Sequence, residues 1–379
     1  MMTFGIPREL RAHEKRVGAL PFLVKEIIKH GHEVFVETGA GEYCEALDSQ
    51  YERVGAQIVP SSEKLYSLAD IILKIREHQP VELELIRPDQ IFFSFFHFVS
   101  NTELVKTLAG KGCTCLSYEF VEDQQGRKPL LQPISRIAGQ LAVLNGAHYL
   151  QKNTSGRGIV LGRVTGSPPA QVTILGAGNV GKQAAITAAN LGARVIILDT
   201  DYSKLLELDT LGYPNISSII STDENIKDLL PITDLLISCI QVPQKPTPKL
   251  VSPEMVKTMN QGSVIVDVDI DLGGSVETSK ITNHDNPTFV VDGIVHYCVS
   301  NITAVVPKIA SQAFSAALMP YLVKIAEMGL EKSVLSDAGL SKGMSIYRGH
   351  VVNESLAQLT GLPNTDLSEK ILDLNNLPK

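Results

Sequence analysis

The sequence contains no tryptophan, few cysteines and no long apolar run. Its five cysteines are odd in number and form no C-x-x-C pair, so neither a disulfide framework nor a structural zinc site is predicted. The longest strongly apolar run, residues 91–99, is too short to span a bilayer, which takes about 20 residues. The chain also opens on a strand-like TFGI without the layout of a signal peptide. We therefore expect a cytoplasmic protein that does not cross a membrane.

Positive charge is not concentrated anywhere in the chain. The net charge is -7 and there is no basic run, which argues against a nucleic acid or an anionic membrane as the partner. The length of 379 residues is enough for two or three domains, each with its own core.

The most informative stretch runs from residue 172 to residue 199. A short β-branched strand leads into Gly176-Ala177-Gly178-Asn179-Val180-Gly181, which fits G-x-G-x-x-G and opens a helix-compatible segment. In such a turn the first glycine permits the sharp bend, the second lets the backbone approach a pyrophosphate, and the third allows close helix–strand packing. The free N–H groups of the helix N-terminus then favour phosphate binding.

A second buried strand ends in Asp199, about 20 residues after the glycines. A carboxylate at this point accepts the ribose hydroxyls and repels a 2′-phosphate, so NAD is favoured over NADP. Glycine-rich turns alone are common, and an α/β turn without a ligand is the alternative. The prediction depends on strand, glycines, helix, strand and acid occurring together.

Strand-like and helix-like segments alternate on both sides of this stretch, which predicts an α/β fold with parallel sheets. Residues 135–150 have apolar positions at helical spacing, with Ser135 as the N-cap, and are predicted to form a long helix that joins two domains. Two loops, 241–248 and 269–274, follow predicted strands. Ligands of doubly wound sheets lie beyond strand carboxyl ends, so these loops are expected to face the cofactor.

Two arginines and a histidine are candidates for substrate contacts. Arg16 follows the first strand, and Arg76 ends a later one; each guanidinium could bind a carboxylate in a bidentate manner. Most arginines are solvated, so on the residues alone both are expected at the surface. His97 ends the aromatic run FFSFFHF, where a histidine is more often a core residue than a catalytic one.

Three aspartates alternate in VDVDIDLGG, at Asp267, Asp269 and Asp271. If the strand continues through them, all three carboxylates share one face. They then form either a metal site or a loop with one functional acid. No histidine or further acidic cluster accompanies them, so metal binding is disfavoured.

The chain resembles the alanine dehydrogenase and transhydrogenase α-subunit family over nearly its whole length, and more closely alanine dehydrogenase. The resemblance depends on separated motifs: GIPRE, EKRVGALP, GHEVFVETGAG, KIRE, the His97 strand, SRIAGQ, GAGNVG, QVPQKPTPKLV, GSVIVDVDIDLGG and HYCVSNITAVVPK. It implies two Rossmann-like doubly wound domains joined by long helices. A discontinuous substrate domain (1–129 and 307–379) would enclose an NAD-binding domain (130–306) in the sequence. It also implies a homo-oligomer, namely a hexamer.

The resemblance further implies site residues. His97 and Asp271 correspond to the catalytic pair, and Arg16, Arg76 and Asn301 to substrate contacts. The implied cofactor contacts are Ser135, Gly176, Gly178, Asn179, Val180, Gly181, Asp199, Lys204 and Asp271. Arg76 stands where the family usually has lysine, and Asp269 and Leu272 replace small and amide residues, so a reshaped pocket is expected.

These observations predict the reversible, NAD-dependent oxidative deamination of a small L-amino acid, with L-alanine and pyruvate as the expected pair. One alternative is the reduction of a cyclic or substituted imine, or the oxidation of a bulkier amino acid, because the departures surround the expected site. A second alternative is a non-catalytic NAD(H)-binding homologue. The combined presence of Arg16, His97 and Asp271 argues against it.

Overall fold

The structure, a computed structural model, describes residues 1–241 and 247–375. The strands are β1 (Thr3–Ile6), β2 (Glu33–Glu37), β3 (Gln57–Val59), β4 (Ile71–Arg76), β5 (Ile91–Phe95), β6 (Thr114–Ser117), β7 (Gln171–Leu175), β8 (Arg194–Asp199), β9 (Ile216–Ile220), β10 (Leu235–Ser238), β11 (Val264–Asp267), β12 (Thr288–Val291), β13 (Ile294–Tyr297), β14 (Met344–Tyr347) and β15 (His350–Val351). The helices are α1 (Pro21–Lys29), α2 (Asp48–Arg53), α3 (Ser62–Leu68), α4 (Pro80–Leu83), α5 (Thr102–Gly110), α6 (Gln132–Tyr149), α7 (Asn179–Asn190), α8 (Tyr202–Asp209), α9 (Asp223–Leu229), α10 (Pro253–Val256), α11 (Pro307–Met328), α12 (Leu330–Ser336), α13 (Ala338–Gly343), α14 (Glu354–Thr360) and α15 (Leu367–Asn375).

The chain forms two compact units. Unit 1 comprises Met1–Ile134 and Ala304–Lys379, and unit 2 comprises Ser135–Thr303. Unit 2 is therefore inserted in the sequence of unit 1, and the long helix α6 runs across the first boundary. Each unit has its own sheet and its own buried apolar clusters.

Unit 1 is built on an eight-stranded sheet in the order β15-β14-β6-β5-β4-β1-β2-β3. Strands β1 to β6 pair in parallel, and β14 adds antiparallel to β6. Every residue of the central strand β4 is buried, as expected when helices cover both faces of a parallel sheet. The order reverses between β1 and β4, which creates a switch point where ligand sites form in such sheets.

Unit 2 is built on a seven-stranded sheet in the order β12-β13-β11-β10-β7-β8-β9. The strands are parallel except for β12, which pairs antiparallel with β13. From β9 to β13 the order is that of the Rossmann fold, with its switch point between β7 and β10. The predicted α/β fold with two doubly wound domains is confirmed.

The long helix α6 begins earlier than predicted. It starts at Gln132, so Ser135 lies in its first turn and the predicted N-cap at Ser135 is wrong. Pro133 explains the difference, because proline has no N–H to leave unpaired and its fixed φ suits the first turn of a helix.

Helix α11 is the one helix in the described residues that is long and apolar enough, by length and composition, to cross a membrane. The core helices of globular domains pass the same test. Phe314, Leu318, Leu322 and Ile325 of α11 are buried in the main apolar cluster of unit 1. Helix α11 therefore supplies core side chains to unit 1.

Candidate functional site

The candidate substrate residues of unit 1 lie at the carboxyl ends of neighbouring parallel strands. Arg16 is in the segment after β1, Arg76 is the last residue of β4, and His97 follows β5. Glu119 follows β6 in a short 3-10 helix, Tyr118–Phe120. Because β1 and β4 flank the switch point, the topology gathers these side chains at the edge where ligands bind.

Arg16 is buried, with only 3% of its surface exposed, so the expectation of a surface arginine is wrong. Its guanidinium forms a bidentate ion pair with Glu14, with Nε–Oε1 at 2.7 Å and Nη2–Oε2 at 2.5 Å. The neighbouring Val17 N donates to Ser311 Oγ of α11 at 3.0 Å, which anchors the segment. The ion pair compensates the burial of this charge and holds the guanidinium in one orientation.

Arg76 is also buried, at 7% exposure, which again contradicts the surface expectation. Its Nη1 lies 2.6 Å from His97 Nε2, and its Nε lies 3.1 Å from Glu77 Oε2. Glu77 is shared, because its Oε1 also accepts from Arg11 Nη1 at 2.5 Å. Arg76 and His97, two residues singled out from the sequence, are thus in direct contact.

His97 adopts a left-handed backbone conformation, with φ of 53°. Its main-chain N–H donates to Glu119 Oε1 at 2.8 Å, and its carbonyl accepts from Ser100 N at 3.0 Å. Positive φ is uncommon outside glycine and clusters at functional sites. Burial lowers the pKa of His97 to about 4, aided by the positive charges of Arg11 and Arg16, so the imidazole is neutral at pH 7.

Glu119 is a site residue that the sequence analysis missed. Its Oε2 is buried and has no hydrogen-bond partner among the described residues. Burial raises the pKa of Glu119 to about 7, and the charge of Glu77 acts in the same direction. Glu119 could have been predicted only from its position after β6, because β6 pairs with β5, the strand that precedes His97. Nothing in the sequence alone indicates that β5 and β6 pair.

A buried charge cluster lies beneath Arg76. Lys74 Nζ is 2.6 Å from Glu82 Oε1 and 3.2 Å from Glu9 Oε2, and all three side chains are almost fully buried. Glu9 Oε1 also accepts from Ile75 N at 2.6 Å, so it braces the end of β4. Burial raises the pKa of Glu9 to about 7. This cluster positions the strand that carries Arg76.

In unit 2 the glycine-rich turn lies between β7 and α7, at the switch point. Gly176 has φ of 97°, and a Cβ there would overlap the carbonyl of Cys239 at the end of β10. A Cβ on Gly181 would overlap the carbonyl of Gly176. Gly178 is different: a Cβ there would meet nothing within 4 Å. The protein itself requires Gly176 and Gly181, whereas Gly178 leaves open space at the N-terminus of α7, where a pyrophosphate is expected.

Asp199 lies beside this turn. Its Oδ2 accepts from Ala177 N at 2.7 Å, its Oδ1 accepts from Asp201 N at 2.9 Å, and Lys204 Nζ is 3.7 Å away. Ser135 lies one helical turn before Gly139, where a Cβ would overlap the Val180 carbonyl of α7. The glycine turn, Asp199, Lys204 and Ser135 are therefore grouped around the start of α7, and they suit a dinucleotide. Asp271, also predicted as a cofactor contact, lies in the 3-10 helix after β11.

Asp271 and Asn301, predicted as separate candidates, are in contact. Asp271 is exposed in a 3-10 helix, Ile270–Leu272, and its carboxylate accepts from Ser300 Oγ and from Asn301 N, the latter at 3.3 Å. Asn301 has φ of 56°. Ser300 was not predicted, since a serine hydroxyl carries no distinctive sequence signal.

The expectation that Asp267, Asp269 and Asp271 share one face of a strand is wrong. Strand β11 ends at Asp267, and the chain then turns at residues 268–269 into the 3-10 helix Ile270–Leu272, which Gly273 ends with a positive φ. Burial raises the pKa of Asp269 to about 7, and the charges of Asp267 and Asp271 act in the same direction. Within the described residues no group of three or more His, Cys, Asp or Glu could hold a metal ion. The loop predicted at 241–248 falls largely outside the described residues.

Comparison with known proteins agrees with this geometry. The chain matches the family models "Alanine dehydrogenase/PNT, N-terminal domain" over residues 5–138 and "Alanine dehydrogenase/PNT, C-terminal domain" over residues 142–354. The alanine dehydrogenase of Methanococcus maripaludis is 39% identical, over 98% of this chain and 100% of that protein.

Solved structures give the same result. An L-alanine dehydrogenase superimposes with a TM-score of 0.90 at 39% identity, over 95% of this chain and 99% of that one. The transhydrogenase of Sinorhizobium meliloti shares the fold, with a TM-score of 0.79 at 24% identity over 93% of this chain and 99% of that one. The family predicted from the sequence motifs is thus confirmed, and this chain belongs to the alanine dehydrogenase/PNT family.

Proposed function

We propose that this chain is an NAD-dependent L-alanine dehydrogenase that converts L-alanine reversibly to pyruvate and ammonium. The proposal is supported by the observation that each of the two units contains a preformed candidate site. Unit 1 holds a buried arginine and a neutral histidine at its switch point, and unit 2 holds a glycine turn with an acidic partner at its own. Full-length relatives named alanine dehydrogenase support the same activity.

NAD, when bound, accepts a hydride from the substrate. The open space at Gly178 and the N-terminus of α7 would take its pyrophosphate, and Asp199 would take its ribose hydroxyls. The negative charge of Asp199 disfavours the 2′-phosphate of NADP. Ser135 and Lys204 are proposed as additional contacts because they lie around the same turn.

On the substrate side, Arg16 is proposed to hold the α-carboxylate, since its guanidinium is oriented by Glu14. Arg76 and Asn301 are proposed as further substrate contacts. Loss of the hydride from Cα and of a proton from the amino group leaves an imine. Asp271 then removes a proton from the water that attacks the imine carbon, which gives a carbinolamine. His97 hydrogen-bonds the oxygen of the carbinolamine and shuttles its proton, so that the C–N bond breaks, the carbonyl forms and ammonia leaves. Asp271 suits this role because it is exposed and is held by Ser300 and Asn301.

The test is NADH absorbance with a panel of L-amino acids and NAD⁺, beside 2-oxo acids with ammonium and cyclic imines with NADH. Turnover confined to alanine and pyruvate supports the proposal. Turnover confined to a bulkier amino acid or a cyclic imine replaces it with the corresponding alternative. No turnover with NADH still bound, as judged by its fluorescence, makes the protein a binding homologue.

Arg76 is the residue that favours the alternative substrates. In the family this position is usually a lysine, whereas here a planar guanidinium contacts His97 directly. Such a change reshapes the space in which a substrate side chain would lie.

We also propose that the protein is a cytoplasmic homo-hexamer, as its family resemblance implies. Light scattering coupled to size-exclusion chromatography tests the hexamer, since the mass of one chain is 41.1 kDa. A monomeric mass at micromolar concentration would contradict it.

A further inference from the structure

The contact between Arg76 and His97 determines which ring nitrogen of His97 carries a proton. Arg76 Nη1 lies 2.6 Å from His97 Nε2. An arginine guanidinium has only N–H donors and stays charged, so Nε2 must be the acceptor in this hydrogen bond and must be unprotonated. A neutral imidazole has a single N–H, which therefore lies on Nδ1.

The surroundings of His97 oppose the doubly protonated form. The charged and titratable groups that face it come from three segments, namely Arg11 and Arg16 after β1, Arg76 and Glu77 at the end of β4, and Glu119 after β6. Burial and the charges of Arg11 and Arg16 lower the pKa of His97. An imidazolium would also have to give up the hydrogen bond from Arg76, because its Nε2 would become a donor.

The other ring nitrogen is available to a ligand. His97 Nδ1 has no hydrogen-bond partner among the residues that the structure describes, and the side chain is only partly buried. The main-chain hydrogen bond to Glu119 Oε1 fixes the backbone at φ of 53° and so sets the direction of the ring. Nε2 faces Arg76, while Nδ1 is the nitrogen left to meet a substrate.

We propose that Arg76 is a positioning residue that fixes His97 as the neutral Nδ1–H tautomer, so that Nδ1–H is the group offered to the substrate oxygen. A neutral N–H donor stabilises charge developing on a carbonyl or carbinolamine oxygen without itself losing its proton. In this tautomer Nδ1 already carries its proton and Nε2 accepts from Arg76, so His97 donates a hydrogen bond to the oxygen and can take up a further proton only at Nε2, after the contact with Arg76 breaks. The hydrogen bond to a substrate oxygen rests on the proposed function, whereas the assignment of the tautomer does not.

The tautomer can be measured directly by ¹⁵N magic-angle-spinning NMR of the full-length protein labelled at histidine, without substrate. The chain has nine histidines, so the His97 signals are assigned by their loss in H97N. We expect a protonated Nδ1 and an unprotonated Nε2 in the wild type at pH 7. A protonated Nε2 in the wild type would overturn the proposal, whatever the enzyme turns over.

Two arginine variants separate hydrogen bonding from charge. R76M removes the donor to Nε2, so the Nε2–H form should appear beside the Nδ1–H form. R11M is the matched control, because Arg11 also pairs with Glu77 and also lowers the pKa of His97, whereas the hydrogen bond to the ring among the described residues comes from Arg76. R11M should keep the Nδ1–H tautomer. If both variants, or neither, change the tautomer, Arg76 does not set it. R76L, which also lacks a donor, replaces R76M if the latter fails to fold.

Kinetics distinguish positioning from substrate binding. If Arg76 acts through His97, R76M lowers kcat about 100-fold, as misplacement of a catalytic group does, in addition to any rise in KM that follows from the loss of its proposed substrate contact. If Arg76 mainly binds the substrate carboxylate, KM rises steeply while kcat changes little, and the positioning role is refuted.

Discussion

At the scale of single residues, the decisive feature is that His97 is neutral and strained at the same time. Its positive φ is held by Glu119, and its ring by Arg76. Strain of this kind persists only where the surrounding structure over-determines it. The side chain is thus fixed before any ligand arrives, as general acid–base and oxyanion-stabilising groups require.

Replacement of His97 should remove turnover but not cofactor binding. We expect H97N and H97A to lose about 10²- to 10⁴-fold in kcat, the range typical of an acid–base group. H97N is the better test, since asparagine tolerates a left-handed backbone. NADH fluorescence should report unchanged binding. Loss of NADH affinity in H97N would refute the division of roles between the two units.

Glu119 should make stability depend on pH. Its pKa in the folded protein is about 7, raised from the usual 4.5, so the folded state binds more protons than the unfolded state between these values. Its contribution to stability is therefore greatest below pH 4.5 and is lost as pH rises through 7. E119Q removes this titration, so we expect E119Q to gain stability relative to the wild type on going from pH 5 to pH 8.

The measurement is urea unfolding of both proteins at the two pH values. E103Q is a suitable control, because Glu103 is an exposed residue paired with Lys106 on the surface. An equal change in E103Q and E119Q would show that the effect is general and not due to burial.

At this scale the sequence identified the candidate site residues but not the side chains that pair with them. Arg16, Arg76 and His97 could be selected because each follows a predicted strand and matches a family motif. Their ionic partners Glu14 and Glu77 lie beside them in the chain, yet acids next to arginines are too common to be informative. Burial of both arginines was not predicted, since it depends on the tertiary packing that brings compensating carboxylates together.

At the scale of elements, two glycines of the turn in unit 2 are expected to have different roles: Gly181 is required by the fold, and Gly178 by the ligand. We expect G181A to destabilise the protein, because its Cβ would overlap the Gly176 carbonyl. G178A should fold normally, because its Cβ meets nothing within 4 Å and its φ of −70° suits alanine.

The matched pair is compared by thermal unfolding and by NADH titration. G178A should keep the wild-type Tm and bind NADH at least several-fold more weakly, since the methyl group would fill the space expected for the pyrophosphate. Wild-type NADH affinity in G178A would mean that the pyrophosphate does not lie there.

Helices and strands whose apolar residues recur with a clear period were predictable from the sequence, whereas very short elements were not. Strand β1 matches its predicted bounds, and α7 and β8 follow from the fingerprint. The segment between β2 and β4 forms α2, β3 and α3, which are too short to show a period; β3 has three residues. The turn after β11 was also missed, because alternating aspartates imitate a strand, whereas β11 ends at Asp267 and a 3-10 helix follows at Ile270–Leu272.

At the scale of the whole molecule, the two units have separate cores, so a substitution in one core should destabilise that unit and not the other. Ile346 of β14 is fully buried in unit 1, so I346A should cost about 2–5 kcal/mol. Hydrogen exchange followed by mass spectrometry should show faster exchange in peptides from β6 and β14, while those from β7 to β13 stay protected. NADH binding should be retained.

V290A is the control for this experiment, because Val290 is half-exposed on the edge strand β12 of unit 2. It should change little in either unit. Faster exchange throughout the molecule in I346A would mean that the two units unfold as one.

The pairing of β6 with β14 also has a consequence for synthesis of the chain. Ser117 and Ser345, whose hydroxyls meet at 2.6 Å across this pairing, are separated by 228 residues, and all of unit 2 lies between them. At about 5–20 residues per second, β6 leaves the ribosome on the order of 10 to 45 seconds before its partner strand exists. During that interval unit 2 can fold completely, while the sheet of unit 1 still lacks β14 and β15 and has an unpaired edge at β6. An unpaired edge strand is a template for aggregation, so the nascent chain is most in need of chaperones just when its dinucleotide-binding half is already complete.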